Sequence, residues 1–250
     1  MTLGESYLHA VSGVMQRILD EESESVAHAA IMLADQIQQD RLVHVYGPGG
    51  HSNLASQEVF FRAGGLMHVS AILDEGTLLS SGALRSMAME RTPGYGRVVI
   101  DNARLGPDDL LVLVNAYGIN SALIDAALIA RERGVTTIGV SSRSHAQQTA
   151  PDHPARHPSQ LNVHDVVDHH LDTKVPIGDA VMEIDGALEK TGAVSTFANA
   201  YIMNWLVLQT VEELVGRGAD VPLWRSGNAP GGDEANSRFL SRFRGRVKSL

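Results

Sequence analysis

Residues Leu110-Leu111-Val112-Leu113-Val114 are apolar without a break. A strand with one wet face would alternate, so this run predicts a strand covered on both sides. Strands of that kind belong to parallel sheets, whose neighbours are joined by long crossovers and flanked by helices. The flanks agree: Gly106-Pro107-Asp108-Asp109 reads as a turn, and a helical pattern over 122–133 ends at Gly134. Further strands are expected at 42–46, 67–73, 135–140 and 166–171, with helices near 52–63, 83–91, 97–104 and 194–216. Alternation of this sort implies right-handed crossovers and a mostly parallel sheet.

The N-terminal stretch 5–38 carries Tyr7, Val11, Val14, Ile18, Val26, Ala30, Leu33 and Ile37 at helical spacing. Its acidic run Asp20-Glu21-Glu22-Ser23-Glu24 is expected to mark a break or a second helix start. The helix at 194–216 is apolar on much of its circumference, which predicts burial between the sheet and a partner subunit. With no repeat and no low-complexity linker, residues 1–250 read as one domain. It comprises a helical segment (1–40), a sheet-and-helix core (41–216) and a C-terminal tail (217–250).

A net charge of −9 argues against nucleic-acid and anionic-membrane partners, which need clustered Lys and Arg. The exception, Arg238, Arg242, Arg244, Arg246 and Lys248, is expected to be a solvated helical tail. Zero cysteines exclude disulfides and thiol chemistry. No apolar run is long enough to span a bilayer and no signal-peptide pattern opens the chain, so a cytoplasmic location is expected.

Open α/β sheets bind ligands beyond the carboxyl ends of their strands. Three strand ends therefore matter together: 47–53, 74–76 and 115–121. The first, Gly47-Pro48-Gly49-Gly50-His51-Ser52-Asn53, turns a strand into a helix and gathers backbone N–H groups where an anion could sit. A dinucleotide reading would use Asp74 or Glu75 for a ribose, but Ser52 stands where the third fingerprint glycine belongs. A purely structural turn is the third reading. His51 and Glu58, seven residues apart, share one helix face and suit acid–base work; the bland alternative for Glu58 is an ion pair with Arg62. Six histidines at 145, 153, 157, 164, 169 and 170 invite a metal, but their spacing fits no ligand motif, so a lid with Arg156 and His157 reaching an anion is preferred. Ser226–Asn236 is a glycine-rich polar segment that alone reads as a turn and cap.

From Gly47 to Gly65 the chain resembles the sugar isomerase (SIS) domain family, in particular a branch of uncharacterised bacterial members. In that branch G-x-G-H-S is followed by E-x-F-x-R-A-G-G. The resemblance continues through Leu73-Asp74-Glu75, the third-strand loop, Ser226-Gly227-Asn228 and Gly231–Asn236. It implies a three-layer α/β/α sandwich around a five-stranded parallel sheet, flavodoxin-like in layout. It also implies a homodimer with its site near the subunit interface, and a ligand that is a sugar or sugar phosphate. The expected activity is aldose–ketose isomerisation, with a non-catalytic carbohydrate-derivative sensor as the alternative. No cofactor or metal is expected: a heptose-phosphate branch places its glutamate where this chain has Phe61, so its zinc mechanism does not carry over.

The resemblance nominates Glu58 as base and His51 as its helper. Ligand contacts are expected from Gly47, Gly49, Gly50, Ser52, Glu75, Asn115, Tyr117, Gly118, Asn120, Ser121, His157, Ser195, Thr196, Asn228, Asp233 and Glu234. One departure stands out. The family's Ser-x-Ser-Gly phosphate loop is here Asn115-Ala116-Tyr117-Gly118. Losing two hydroxyl contacts to a charged group, at roughly 1.5–3 kcal/mol each, favours replacement donors or a ligand other than an ordinary phosphosugar.

Overall fold

The computed structural model describes all residues from Met1 to Leu250. A single 36-residue helix, α1 (Leu3–Gln38), opens the chain. Thr2 caps it: its hydroxyl accepts from the Glu5 N–H while the Glu5 carboxylate accepts from the Thr2 N–H. Contrary to expectation, the acidic run does not interrupt α1. Glu21 and Glu22 meet Lys174 at 3.1 and 2.7 Å, so their charge is absorbed by pairing across layers.

The remaining elements follow as β1 (Val43–Tyr46), α2 (Gly50–Glu58), β2 (Val69–Ile72), α3 (Ala83–Glu90), α4 (Tyr95–Ala103), β3 (Leu110–Val114) and α5 (Ser121–Glu132). Then come β4 (Thr136–Ser141), α6 (Arg143–Gln148), α7 (Val163–Val166), β5 (His169–Asp172), β6 (Ala180–Met182), β7 (Thr191–Ala193), α8 (Ser195–Gly216) and α9 (Gly232–Phe243). The main sheet has the order β2-β1-β3-β4-β5 and is parallel throughout. Strand β3 occupies its centre with every residue buried. Alternate side chains of β3 enter opposite layers. Leu110, Val112 and Val114 join α1 and α8 residues such as Leu33, Ile202 and Leu206. Leu111 and Leu113 join Ile100 of α4 and Leu123 and Ile124 of α5. At about 1.5–3 kcal/mol for each fully buried aliphatic side chain, these two layers hold the sandwich together.

Three features depart from the sequence reading. Helix α2 stops at Glu58, because Phe61 adopts φ 52° and turns the chain before Gly64. A short antiparallel pair, β6 with β7, lies outside the main sheet and carries no apolar pattern that would have announced it. The C-terminal segment is docked by one face, while Arg238, Arg244 and Lys248 stay exposed to solvent as expected. Phe243 and Val247 are buried with Leu42, Met67 and Trp224. Arg242 and Arg246 lie over the Phe243 ring and both bond the Asp40 carboxylate. Just upstream, the Met67 N–H donates to the Pro222 carbonyl and the Trp224 N–H to the Gly65 carbonyl. No helix is long and apolar enough to cross a membrane.

Two histidines are held neutral by this packing. Burial lowers His68 to about 4. Burial, with Arg143 and His164 close by, lowers His170 to about 3. The unfolded chain takes up protons near pH 6.5, before the folded chain does. The stability these groups confer is therefore complete above about pH 6.5 and is lost as pH falls towards 4 and 3. Asp40 adds to this lower down: burial alone would raise its carboxyl, but Arg242 and Arg246 outweigh that and hold it at about 2. The thermal-unfolding midpoint should fall steadily from pH 7 to pH 4, and His170→Asn should make that fall shallower. A slope unchanged by the substitution would place the acid sensitivity elsewhere.

Candidate functional site

The strand order reverses between β1 and β3, so the loops that leave their carboxyl ends diverge and open a crevice. After β1 the chain turns through Gly47, where a side chain would collide with the Ser52 carbonyl. It continues through Gly49, whose φ of 89° favours glycine. Helix α2 then begins with no side-chain cap, and α5 begins the same way at Asn120. The first turn of α2 (Gly50, His51, Ser52) lines the crevice, and α5 reaches it through its N-cap, Asn120.

Asn115 fastens the two loops to each other. Its Oδ1 accepts from the N–H groups of Tyr117 and Gly118 at 3.0 and 2.8 Å. Its Nδ2 donates to the Pro48 carbonyl and the Ser52 hydroxyl at 3.4 and 3.3 Å. Two backbone donors that could have cradled an anion are thus used internally. At the start of α5, one residue behind the crevice-lining Asn120, the buried Ser121 hydroxyl has no partner.

The crevice has a volume of about 620 Å³. Its floor is Gly49, Gly50, His51 and Ser52 of the first loop and Asn115, Tyr117 and Asn120 of the second. One wall is the end of α3, with Glu90 and Arg91; another is the chain following β4, with His145, Thr149 and His153. His145 stacks on Tyr117 with ring centroids 3.8 Å apart. Arg156 donates to the carbonyls of Ala146, Thr149 and Ala150 and to Asn162 Oδ1, which pins this expected lid as a wall.

Behind His51 lies a second polar group. His51 Nδ1 is 2.8 Å from the Thr196 hydroxyl, and its Nε2 is 3.9 Å from Asp179. Asp179, buried, accepts from the Val194 and Ser195 N–H groups at 2.9 and 2.7 Å and from the Ser195 hydroxyl at 2.6 Å. It caps α8 from fifteen or more residues away and thereby sets where Thr196 meets His51. Burial pushes the Glu90 carboxyl up to about 7, with Arg91 pulling weakly the other way. Burial, then the Asp179 charge, raises the Tyr117 hydroxyl, and burial lowers His145.

Most of the nominated residues converge here, but not all. Gly49, Gly50, His51, Ser52, Asn115, Tyr117 and Asn120 line the crevice; Gly47, Gly118 and Ser121 lie in its supporting loops; Ser195 and Thr196 adjoin it through His51. Glu58 lines a different groove of about 680 Å³, together with Asn228 and Asp233, and it pairs with Arg62 at 3.1 Å. Glu58 and His51 therefore do not share one crevice. Glu75 is exposed, and Glu234 faces solvent near Arg238. His157 turns to Asp125 at 3.1 Å. Of the six histidines only His164 and His170 pack on each other, and no three metal-binding side chains group together. Glu90 and Asp179 went unnoticed in the sequence: an acid ending a short helix and an acid capping a distant one leave no local pattern.

A sequence-family model described as SIS domain matches residues 6–142. A UPF0309 protein of Streptomyces griseus is 35% identical over 98% of this chain and 96% of its own length. A UPF0309 protein of Brucella canis is 35% identical over 98% of both. Among solved structures, a phosphoheptose isomerase from Neisseria gonorrhoeae superposes with a TM-score of 0.59 at 15% identity, covering 84% of this chain and 100% of that one. The Vibrio vulnificus NanR protein complexed with ManNAc-6P gives 0.50 at 12% identity, covering 99% of this chain and 70% of that one. At such identities the structures establish a common fold.

Asp179→Asn keeps the size of the cap and the Oδ1 that both N–H groups share, but it removes the charge at the head of α8 and puts a donor where Oδ2 accepts from the Ser195 hydroxyl. It should lower unfolding stability by about 1–3 kcal/mol in urea titrations. The His51 ring resonances should move with it; unchanged stability and unchanged His51 shifts would show that Asp179 does not organise this corner.

Proposed function

The chain belongs to the SIS domain family, and from that premise we propose that it binds an anionic sugar derivative in the crevice between β1 and β3 and interconverts its aldose and ketose forms by proton transfer. The observation that carries this reading is the meeting of two uncapped helix starts with polar side chains at the switch in strand order. Helix N-termini favour negative charge, and His51, Asn120 and Tyr117 offer hydroxyl-matching partners around them. Since Asn115 engages the Tyr117 and Gly118 N–H groups, the anionic group is assigned to the start of α5, beside the unpartnered Ser121 hydroxyl. The phosphoheptose isomerase and the ManNAc-6P complex lend support, as proteins of this fold named for sugar phosphates.

A binding module without chemistry is the second reading, since the ManNAc-6P complex sits on the same fold. Either way the reading is of a cytoplasmic homodimer. A second copy would cover the apolar Phe197, Leu208 and Val215, which α8 leaves exposed.

Thermal shift against matched sugars, sugar phosphates and sugar acids tests the ligand class. At least one anionic sugar should raise the unfolding midpoint, and Asn120→Asp, which adds a negative charge at the start of α5, should weaken its binding by tenfold or more, about 1.4 kcal/mol. Stabilisation by neutral sugars alone would overturn the assignment of an anion to α5. Saturable binding of a nicotinamide dinucleotide would restore the dinucleotide reading.

A further inference from the structure

We propose that Glu90, the last residue of α3, is the carboxylate that moves the proton: it takes hydrogen from the carbon beside the sugar carbonyl and returns it to the carbonyl carbon. The inference rests on the crevice being a sugar site and adds the identity of its base. The carboxylate nominated from sequence, Glu58, lines the other groove and is paired with Arg62.

The geometry sets Glu90 apart from every other acid nearby. It is the only carboxyl among the residues lining the crevice. Its carboxyl group lies directly over Gly49, at the mouth of α2, so closely that a Cβ at position 49 would overlap it. Glycine is therefore required there on two counts, for its left-handed φ and for the approach of the acid. The neighbouring carboxylates are committed: Asp179 caps α8, Asp125 holds His157 and the Gly94 N–H, and Asp74 accepts from Tyr95 and Thr77. Glu90 has no such ion pair or hydrogen bond, and its oxygens are not sealed in the interior.

The surroundings suit proton transfer at neutral pH. Burial places the Glu90 carboxyl near 7, where a base is both partly ionised and strong enough to act. On its own helix Arg85 turns to the Glu75 carbonyl, and Arg91 follows Glu90 directly as the C-cap. Tyr46 lies behind it on β1, His51 on α2, and Tyr117, His145 and His153 on the other walls. In the reaction the Glu90 carboxylate removes the C2 proton of an open-chain aldose. The C–H electron pair becomes the C1–C2 double bond of an enediol, and the C1 oxygen gains a proton from solvent by way of His51. Glu90 then delivers its proton to C1 as the O2 proton leaves, giving the ketose with no net gain or loss of electrons. Negative charge developing on the oxygens faces the free N–H groups at the start of α2.

The test compares the wild type with Glu90→Gln and Glu90→Asp in deuterium oxide, using the sugars that raise the wild-type unfolding midpoint. Binding is read by thermal shift and exchange of the C2 hydrogen by NMR. Glu90→Gln should keep the thermal shift and lose exchange by about 100-fold or more, and Glu90→Asp should retain an intermediate rate. The wild-type rate should fall about tenfold per pH unit below about pH 7, and the residual rate of Glu90→Gln should lack that limb. Wild-type exchange in Glu90→Gln, or loss of exchange in Glu58→Gln alone, would overturn the assignment. So would a wild type that binds sugars but never exchanges a carbon-bound hydrogen, which would leave the ligand reading standing. If no sugar shifts the wild type, it is the ligand reading that falls, and the role of Glu90 falls with it.

Discussion

Everything in this molecule follows from β3 being apolar on both faces. A strand with no polar side can only sit inside a sheet covered twice, so helices must lie above and below it. Parallel pairing then sends every carboxyl end to one edge, and the reversal between β1 and β3 parts the loops there. The crevice is a product of this arrangement rather than an addition to it. That is why residues as far apart in the chain as Gly49, Glu90, Tyr117 and His145 surround one space.

Within that space the polar groups divide by what they are bonded to. Asn115 and Asp179 are fully engaged and act as fasteners, one between loops and one at the head of α8. Glu90, Ser121 and the first turns of α2 and α5 are not engaged. Asn115, in bonding both loops, turns the second of them into a rigid joint. The crevice has helix starts that favour an anion, and it carries an acid on its wall.

The layered fold was readable in the sequence because burial on a parallel sheet leaves periodic, local signals. The span of β3 was predicted to the residue, and α5 and α8 to within one position, by apolar runs bounded with Gly134 and polar turns. The crevice loops were readable too, since glycines after a strand announce a tight corner. What escaped depends on contacts between distant residues. The acidic run in α1 looked like a break because its neutralising Lys174 lies far along the chain. The basic tail looked solvated because Asp40 and the pocket for Phe243 lie some two hundred residues earlier. Glu58 looked like the partner of His51 because helical spacing records direction along an axis but not which groove a side chain enters.

The docking of residues 222–247 also bears on how this chain is made. Strand β2 is an edge of the sheet, and the segment leading into it pairs with Pro222 and Trp224 while Phe243 and Val247 close over Leu42 and Met67. A ribosome delivers those covering residues long after the strands they cover. Until then the nascent chain carries an open sheet edge and a wet apolar patch, the features that invite intermolecular pairing. The first strands synthesised are thus sealed only once residues 222–247 have followed them, some two hundred positions later.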